Sequence, residues 1–159
     1  MQEIKNVIAP VNNKHGIKNQ QALLTIRGAA VAAAGIAVSP IPFTDATLLI
    51  PGQTAMIIEL YRLYDRSIAE GAIKGILSSL ATTTVARTVV GNLFKFIPGI
   101  GTVTGGAING TVAYAFTNSM GLAVAKALEN GELDTPGDLK DVILAAFNFR
   151  QAGRSRKQK

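Results

Sequence analysis

Apolar residues recur along this chain at helical spacing, and no alternating run is long enough to suggest a strand. Residues 1–16 form a polar leader broken by Pro10 and Gly16. The pattern then predicts a first helix from about Ile17 to Val38. Its second half, within QQALLTIRGAAVAAAGIAV, is apolar on nearly every face, and a helix of that kind is buried in protein or in lipid. SPIP, residues 39–42, ends it, because two prolines cannot continue the hydrogen-bond ladder. A second helix is predicted over about 45–65, capped by Thr44 or Asp45 and kinked near Leu48 by Pro51. Asp65-Arg66 closes it. Ser67 opens a third helix through a capping box, SIAE, which puts Glu70 at the third helical position. That helix runs toward Phe96 and stops at Pro98-Gly99. A fourth follows from about Gly101 to Leu128, with Asn130-Gly131 as its C-terminal stop. Thr135-Pro136 starts a short amphipathic helix, DLKDVILAAFNF, with proline at its first position.

The predicted fold class is therefore all-α: two antiparallel helical hairpins form a four-helix bundle-like domain over 17–130, followed by a short amphipathic helix over 131–149 and a basic disordered tail over 150–159. Alternating up-and-down connections would put the turns SPIP and IPGIG at one end of the bundle. Both turns are apolar, with Pro40, Ile41, Pro42 and Phe43 in the first and Phe96, Ile97, Pro98, Gly99 and Ile100 in the second. Solvent-facing turns are ordinarily polar. These residues are candidates for contact with a membrane or a partner. Asp45 and Lys95 stand beside the two turns at similar height, which suggests an ion pair, since a lone charge there is costly. The alternative is that each serves its own helix end, Asp45 as a cap and Lys95 at a C-terminus.

Charge refines this picture. The net charge is +6, and it is concentrated at the ends. Residues 1–27 carry Lys5, Lys14, Lys18 and Arg27 against Glu3, while Arg150, Arg154, Arg156, Lys157 and Lys159 close the chain with no acid among them. Such termini attract phosphate on lipid head groups or nucleic acid, or serve as solubilising tails. There is no cysteine, which excludes disulfides and thiolate sites, and His15 stands alone in a polar stretch without carboxylates. No secretory signal is apparent, so a cytoplasmic, membrane-associated location is the expectation.

From Phe96 to Ala125 there is no charged residue, yet six glycines interrupt the apolar ones. Gly101 and Gly105, and again Gly106 and Gly110, are spaced for close helix packing, with Gly28, Ala32 and Gly35 on the first helix as a matching small face. As spans the segments are mediocre. Residues 28–44 run into SPIP, and residues 96–125 carry Asn109, Thr111, Thr117, Asn118 and Ser119. Hairpin tips dipping into the bilayer fit better than a crossing. PGIG is not a P-loop, because no Gly-Lys-Ser or Gly-Lys-Thr occurs.

Two long motifs, SPIPFTDATLLIPGQTAMI and NLFKFIPGIGTVTGGAINGTVAYAFTNSMG, resemble the YcjF-type family, a domain of unknown function numbered 697. The residues that carry the likeness are Pro40 to Asp45, Pro51, Gln53, Met56, Ile57, Asn92 to Gly101, Gly105 to Asn109, Thr117 and Gly121, within roughly residues 20–128. The resemblance implies a helical domain, often called a membrane protein, that frequently follows an Era-like GTPase domain. Here no G domain accompanies it, which implies a separate GTPase as partner or none. It brings no catalytic residue. The residues agree: no HExxH, Ser-x-x-Lys or hydrolase triad is recognisable. Asp45, Glu59, Asp65 and Glu70 could form a carboxylate site in principle, but Glu59 and Asp65 suit solvent-facing pairs with Arg62 and Arg66.

The expected function is thus a non-enzymatic, membrane-associated anchor or effector for a GTPase-type partner, without cofactor or metal. The alternative is a soluble helical interaction or self-association module. A nucleic-acid role is disfavoured, since the basic ends lack interleaved aromatics.

Overall fold

The computed structural model describes residues 16–38, 45–82 and 105–155. Over them the chain forms five helices and no strand: α1 (Gln20–Val38), α2 (Asp45–Leu63), α3 (Glu70–Thr82), α4 (Gly105–Asn130) and α5 (Pro136–Ser155). The all-α fold class expected from the periodicity is the one observed.

Local chemistry accounts for the helix ends. Gly16 takes a left-handed φ of 67°, and the Asn19 side chain accepts the Ala22 N–H at 3.2 Å. Asparagine is a preferred N-cap. It moves the start of α1 to Gln20, three residues later than expected, although Ile17 is still fully buried. Pro51 sits, exposed, inside a continuous α2. That helix is stopped after Leu63 by Asp65, whose φ is 55°; the Arg66 N–H returns to the Tyr61 carbonyl at 2.8 Å and the Asp65 N–H to Arg62 at 3.0 Å. The same pairing closes α4, where Gly131 has φ 71°, the Glu132 N–H meets the Ala127 carbonyl at 2.9 Å and the Gly131 N–H meets Leu128 at 3.1 Å.

At α5, Thr135 and Asp138 cap each other. The Asp138 carboxylate accepts the Thr135 N–H at 2.7 Å and its hydroxyl at 2.8 Å, while the Asp138 N–H donates to Thr135 Oγ1 at 3.3 Å. These bonds hold the Asp138 carboxyl below the usual carboxylate range.

Two expectations need correction. The SIAE box does not open the third helix: α3 begins at Glu70 itself, which pairs with Lys74 at 2.5 Å one turn on. The left-handed Asp65 and the long reach of Arg66 hold residues 66–69 outside any helix. The segment after Phe149 is not wholly tail either. α5 continues through Arg150 and Arg154 to Ser155, because RQAGRS contains no proline and its Arg, Gln and Ala are good helix formers.

All five helices share one core. Ile26 of α1, Ile57 and Leu60 of α2, Ile73 of α3, Met120 and Val124 of α4, and Leu139 and Ile143 of α5 are fully buried in it. α1 packs most extensively on α4 and less so on α2; α3 lies on α2, and α5 on α4. The start of α1 meets the ends of both α2 and α4, and its far end meets their beginnings. α1 therefore runs antiparallel to both, as up-and-down connection requires.

Candidate functional site

At one pole, Ala33 and Ala37 of α1 and Ala113 of α4 form a small buried cluster, with Leu49 of α2 packed against it. Alanine lets the three helices approach closely. The end of α1 and the starts of α2 and α4, which bound residues 39–44 and follow residues 101–104, thus come together. Pro40, Ile41, Pro42, Phe43, Lys95, Phe96, Ile97, Pro98, Gly99, Ile100 and Gly101 lie outside the described residues, as does the proposed pairing of Asp45 with Lys95. Gly105 and Gly106 open α4, and Gly110 is buried. Arg156, Lys157 and Lys159 also lie outside the described residues.

Below the alanine cluster the polar members of the sequence motif turn inward. The Gln53 amide donates to Thr117 Oγ1 at 3.2 Å, with both side chains buried, and Thr54 Oγ1 donates to the Ile50 carbonyl at 2.7 Å. No buried side-chain nitrogen or oxygen lacks a partner among the described residues. Next to this pair, a Cβ on Gly121 would stand 2.8 Å and 2.9 Å from the two γ-carbons of Ile26 and 3.1 Å from Met56 Sδ. Gln53, Met56, Ile57, Thr117 and Gly121, singled out in the sequence by family likeness, therefore make the seam between α1, α2 and α4. They are a packing device.

The small face proposed for α1 also needs correction. Gly28, Ala32 and Gly35 are exposed, and nothing lies within 4 Å of where a Cβ would stand on either glycine. The close approach is made by Gly121 and by the alanines of the other side of α1. Where a helix is apolar all round, spacing alone does not say which side turns inward.

The opposite pole is polar, and one carboxylate organises it. Glu129 Oε1 accepts the Lys18 N–H at 2.7 Å, the Asn19 N–H at 3.2 Å and the Tyr64 hydroxyl at 2.9 Å. The Asn19 amide donates to the Leu63 carbonyl at 3.4 Å, and Lys126 Nζ reaches the Gly16 carbonyl at 3.4 Å. A negative side chain at the positive end of α1 is favoured by the helix dipole as well. Partial burial opposes ionisation of Glu129, but the bonds from Tyr64, Asn19 and Lys18 and the charge of Lys126 outweigh it and lower its pKa. Burial, reinforced by the Glu129 bond, pushes the Tyr64 phenol well above its ordinary value. The Tyr64 ring itself is partly buried against the core.

Beside this pole, a cleft of about 410 Å³ opens between the turns before α3 and α5, lined by Tyr61, Arg66, Ile68, Leu133, Thr135 and Pro136 among others. Arg66 crosses it to the Leu133 carbonyl at 2.7 Å and to Asp134 at 2.6 Å, while Asp65 is exposed. Glu59 does pair with Arg62, at 3.8 Å. Burial raises the Tyr61 phenol against the opposing charge of Arg66. Two of the cleft's charges, Arg66 and Asp134, are thus tied to each other. Among the described residues no group of three His, Asp or Glu side chains is placed to hold a metal ion, and no helix is long and apolar enough to cross a membrane.

Comparison with known proteins adds three findings. The family model described as "Domain of unknown function (DUF697)" matches residues 11–152. The chain is 29% identical over 110 residues to magnetosome membrane protein 22 of Magnetospirillum gryphiswaldense, a match covering 67% of this chain and 56% of that protein; the chain thus spans little more than half of that relative's length. No solved structure matches.

Proposed function

The chain belongs to the DUF697 family, and from that premise we propose that it is a non-enzymatic, membrane-associated helical domain on the cytoplasmic side, an anchor or effector for a GTPase-type partner. The observation that carries the reading is the convergence of the end of α1 with the starts of α2 and α4 around Ala33, Ala37, Ala113 and Leu49. The apolar stretches Pro40–Phe43 and Phe96–Ile100 stand close to those helix ends in sequence, and in this reading they supply the contact with the bilayer. The likeness to a protein named for the magnetosome membrane supports the same direction. Contact of this kind is peripheral, through apolar tips and basic termini.

Flotation of the full chain with anionic liposomes, beside detergent-free fractionation, tests the proposal. Co-flotation that weakens as salt rises is the expected result. Recovery in the soluble fraction with no flotation would leave the alternative, a helical interaction or self-association module. For the partner, affinity capture in the presence of a non-hydrolysable GTP analogue should enrich a P-loop protein relative to GDP; equal recovery in both states refutes the effector role.

A further inference from the structure

Resting on membrane association as proposed above, we propose that the outer face of α1 is the surface that lies on an anionic bilayer, which orients the domain side-on. α1 is apolar on nearly all sides, yet among the described residues the core takes only one of them. Ala22, Leu23, Ile26, Ala30, Ala33 and Ala37 turn into the core. Leu24, Gly28, Val31 and Gly35, spaced to form one stripe along the helix, point the other way. Leu24 is 45% exposed and Val31 63%. The remaining exposed large apolar side chain among the described residues, Tyr114, is on α4, the helix packed most extensively against α1.

Charge decides what covers this face. Residues 16–38 contain no Asp or Glu, and the sole acid of α4, Glu129, is engaged by three donors. Lys18 and Arg27 are exposed on the α1 segment, and Lys126 stands beside Gly16. The ion pairs among the described residues, Glu59–Arg62, Glu70–Lys74 and Arg66–Asp134, belong to α2, α3 and the turns beside them. Among the described residues the α1 face is therefore cationic and apolar, with the acids other than Glu129 on other elements. A second copy docked face to face on α1 would set Arg27 near Arg27 with no acid between them. An anionic lipid surface satisfies both properties at once: Leu24 and Val31 enter the acyl boundary while Arg27 extends toward head groups.

The chain has no cysteine, so single labels are readily placed. Val31→Cys on α1 and Gly71→Cys on α3, each carrying an environment-sensitive fluorophore, are titrated with phosphatidylcholine–phosphatidylglycerol vesicles and with phosphatidylcholine alone. The Val31 label should brighten and shift to the blue on the anionic vesicles while the Gly71 label stays unchanged. Val31→Asp should weaken vesicle partition about tenfold or more, the equivalent of losing a buried valine. Arg27→Gln should weaken it about fivefold at low salt. Circular dichroism should show unchanged unfolding for both, since each side chain is exposed. If the unlabelled chain floats but the Val31 label stays silent, this orientation is wrong and membrane association stands. If the chain does not float, both fall. A Val31 shift that follows protein concentration without vesicles would assign the face to self-association and overturn the proposal.

Discussion

Replacing Glu129 by alanine removes one oxygen that three donors share, from two elements far apart in sequence. The loss can be worked through. The amides of Lys18 and Asn19 lose the acceptor that caps the start of α1, which costs about 1 kcal/mol. The half-buried Tyr64 hydroxyl loses its partner, at about 1 kcal/mol more. With the lost dipole interaction the total is about 2–3 kcal/mol. For a chain of this length that lowers Tm by about 5–10 °C. Glu129→Gln keeps an acceptor oxygen but no charge and should cost about 1 kcal/mol.

Urea unfolding followed by circular dichroism, with a constant m-value, measures both variants. A double-mutant cycle with Tyr64→Phe should return a coupling of about 1 kcal/mol. The pH dependence has a definite sign. The folded-state pKa of Glu129 lies below its ordinary value of 4.5, so the native state binds fewer protons than the unfolded chain in mild acid. Its stabilisation is complete above pH 4.5 and disappears as pH falls through the lowered folded value. The gap between wild type and Glu129→Gln should therefore close in acid. A Glu129→Ala variant within about 0.5 kcal/mol of wild type, or a gap that stays constant down to the unfolding pH, would refute the reasoning.

Three further substitutions probe the seam and the turns by the same urea measurement. Thr117→Val keeps the shape but strands the buried Gln53 amide, so a loss of about 1–3 kcal/mol is expected, and a neutral result would mean that the amide finds another acceptor. Gly121→Ala gains helix propensity but drives a methyl against both γ-carbons of Ile26; a net loss of about 1–2 kcal/mol is expected, and stabilisation would show that α1 gives way freely. Asp65→Gly relieves a left-handed residue with a Cβ and should raise stability by about 0.5–1 kcal/mol, whereas destabilisation would point to a contact made by the Asp65 carboxylate.

Much of the fold was legible because it is written locally. Thr135-Pro136 and Asn130-Gly131 are terminus signals whose chemistry is complete within a few residues, and both act as read. The SIAE box failed for the converse reason. Its local preference loses to Arg66, which is drawn to the Leu133 carbonyl across 67 positions of chain. Glu129 left no signature at all, since its partners lie 110 and 65 positions away and nothing near Asn130 announces them. The family likeness of Gln53, Thr117 and Gly121 was visible, but their joint burial needs the register of α2 against α4. Of the helix ends that flank the apolar turns, the end of α1 and the starts of α2 and α4 meet at one pole, and the turns themselves lie outside the described residues.

The pairing of α1 with α4 also sets an order of events during synthesis. The first helix has its largest partner in a segment that ends at Asn130, so it cannot finish burying its inner side until some ninety more residues have left the ribosome. At about 5–20 residues per second, that is roughly 5–20 s in which a greasy, acid-free helix has at most α2 against it. A nearby bilayer or chaperone is then offered α1 before the protein's own fourth helix is.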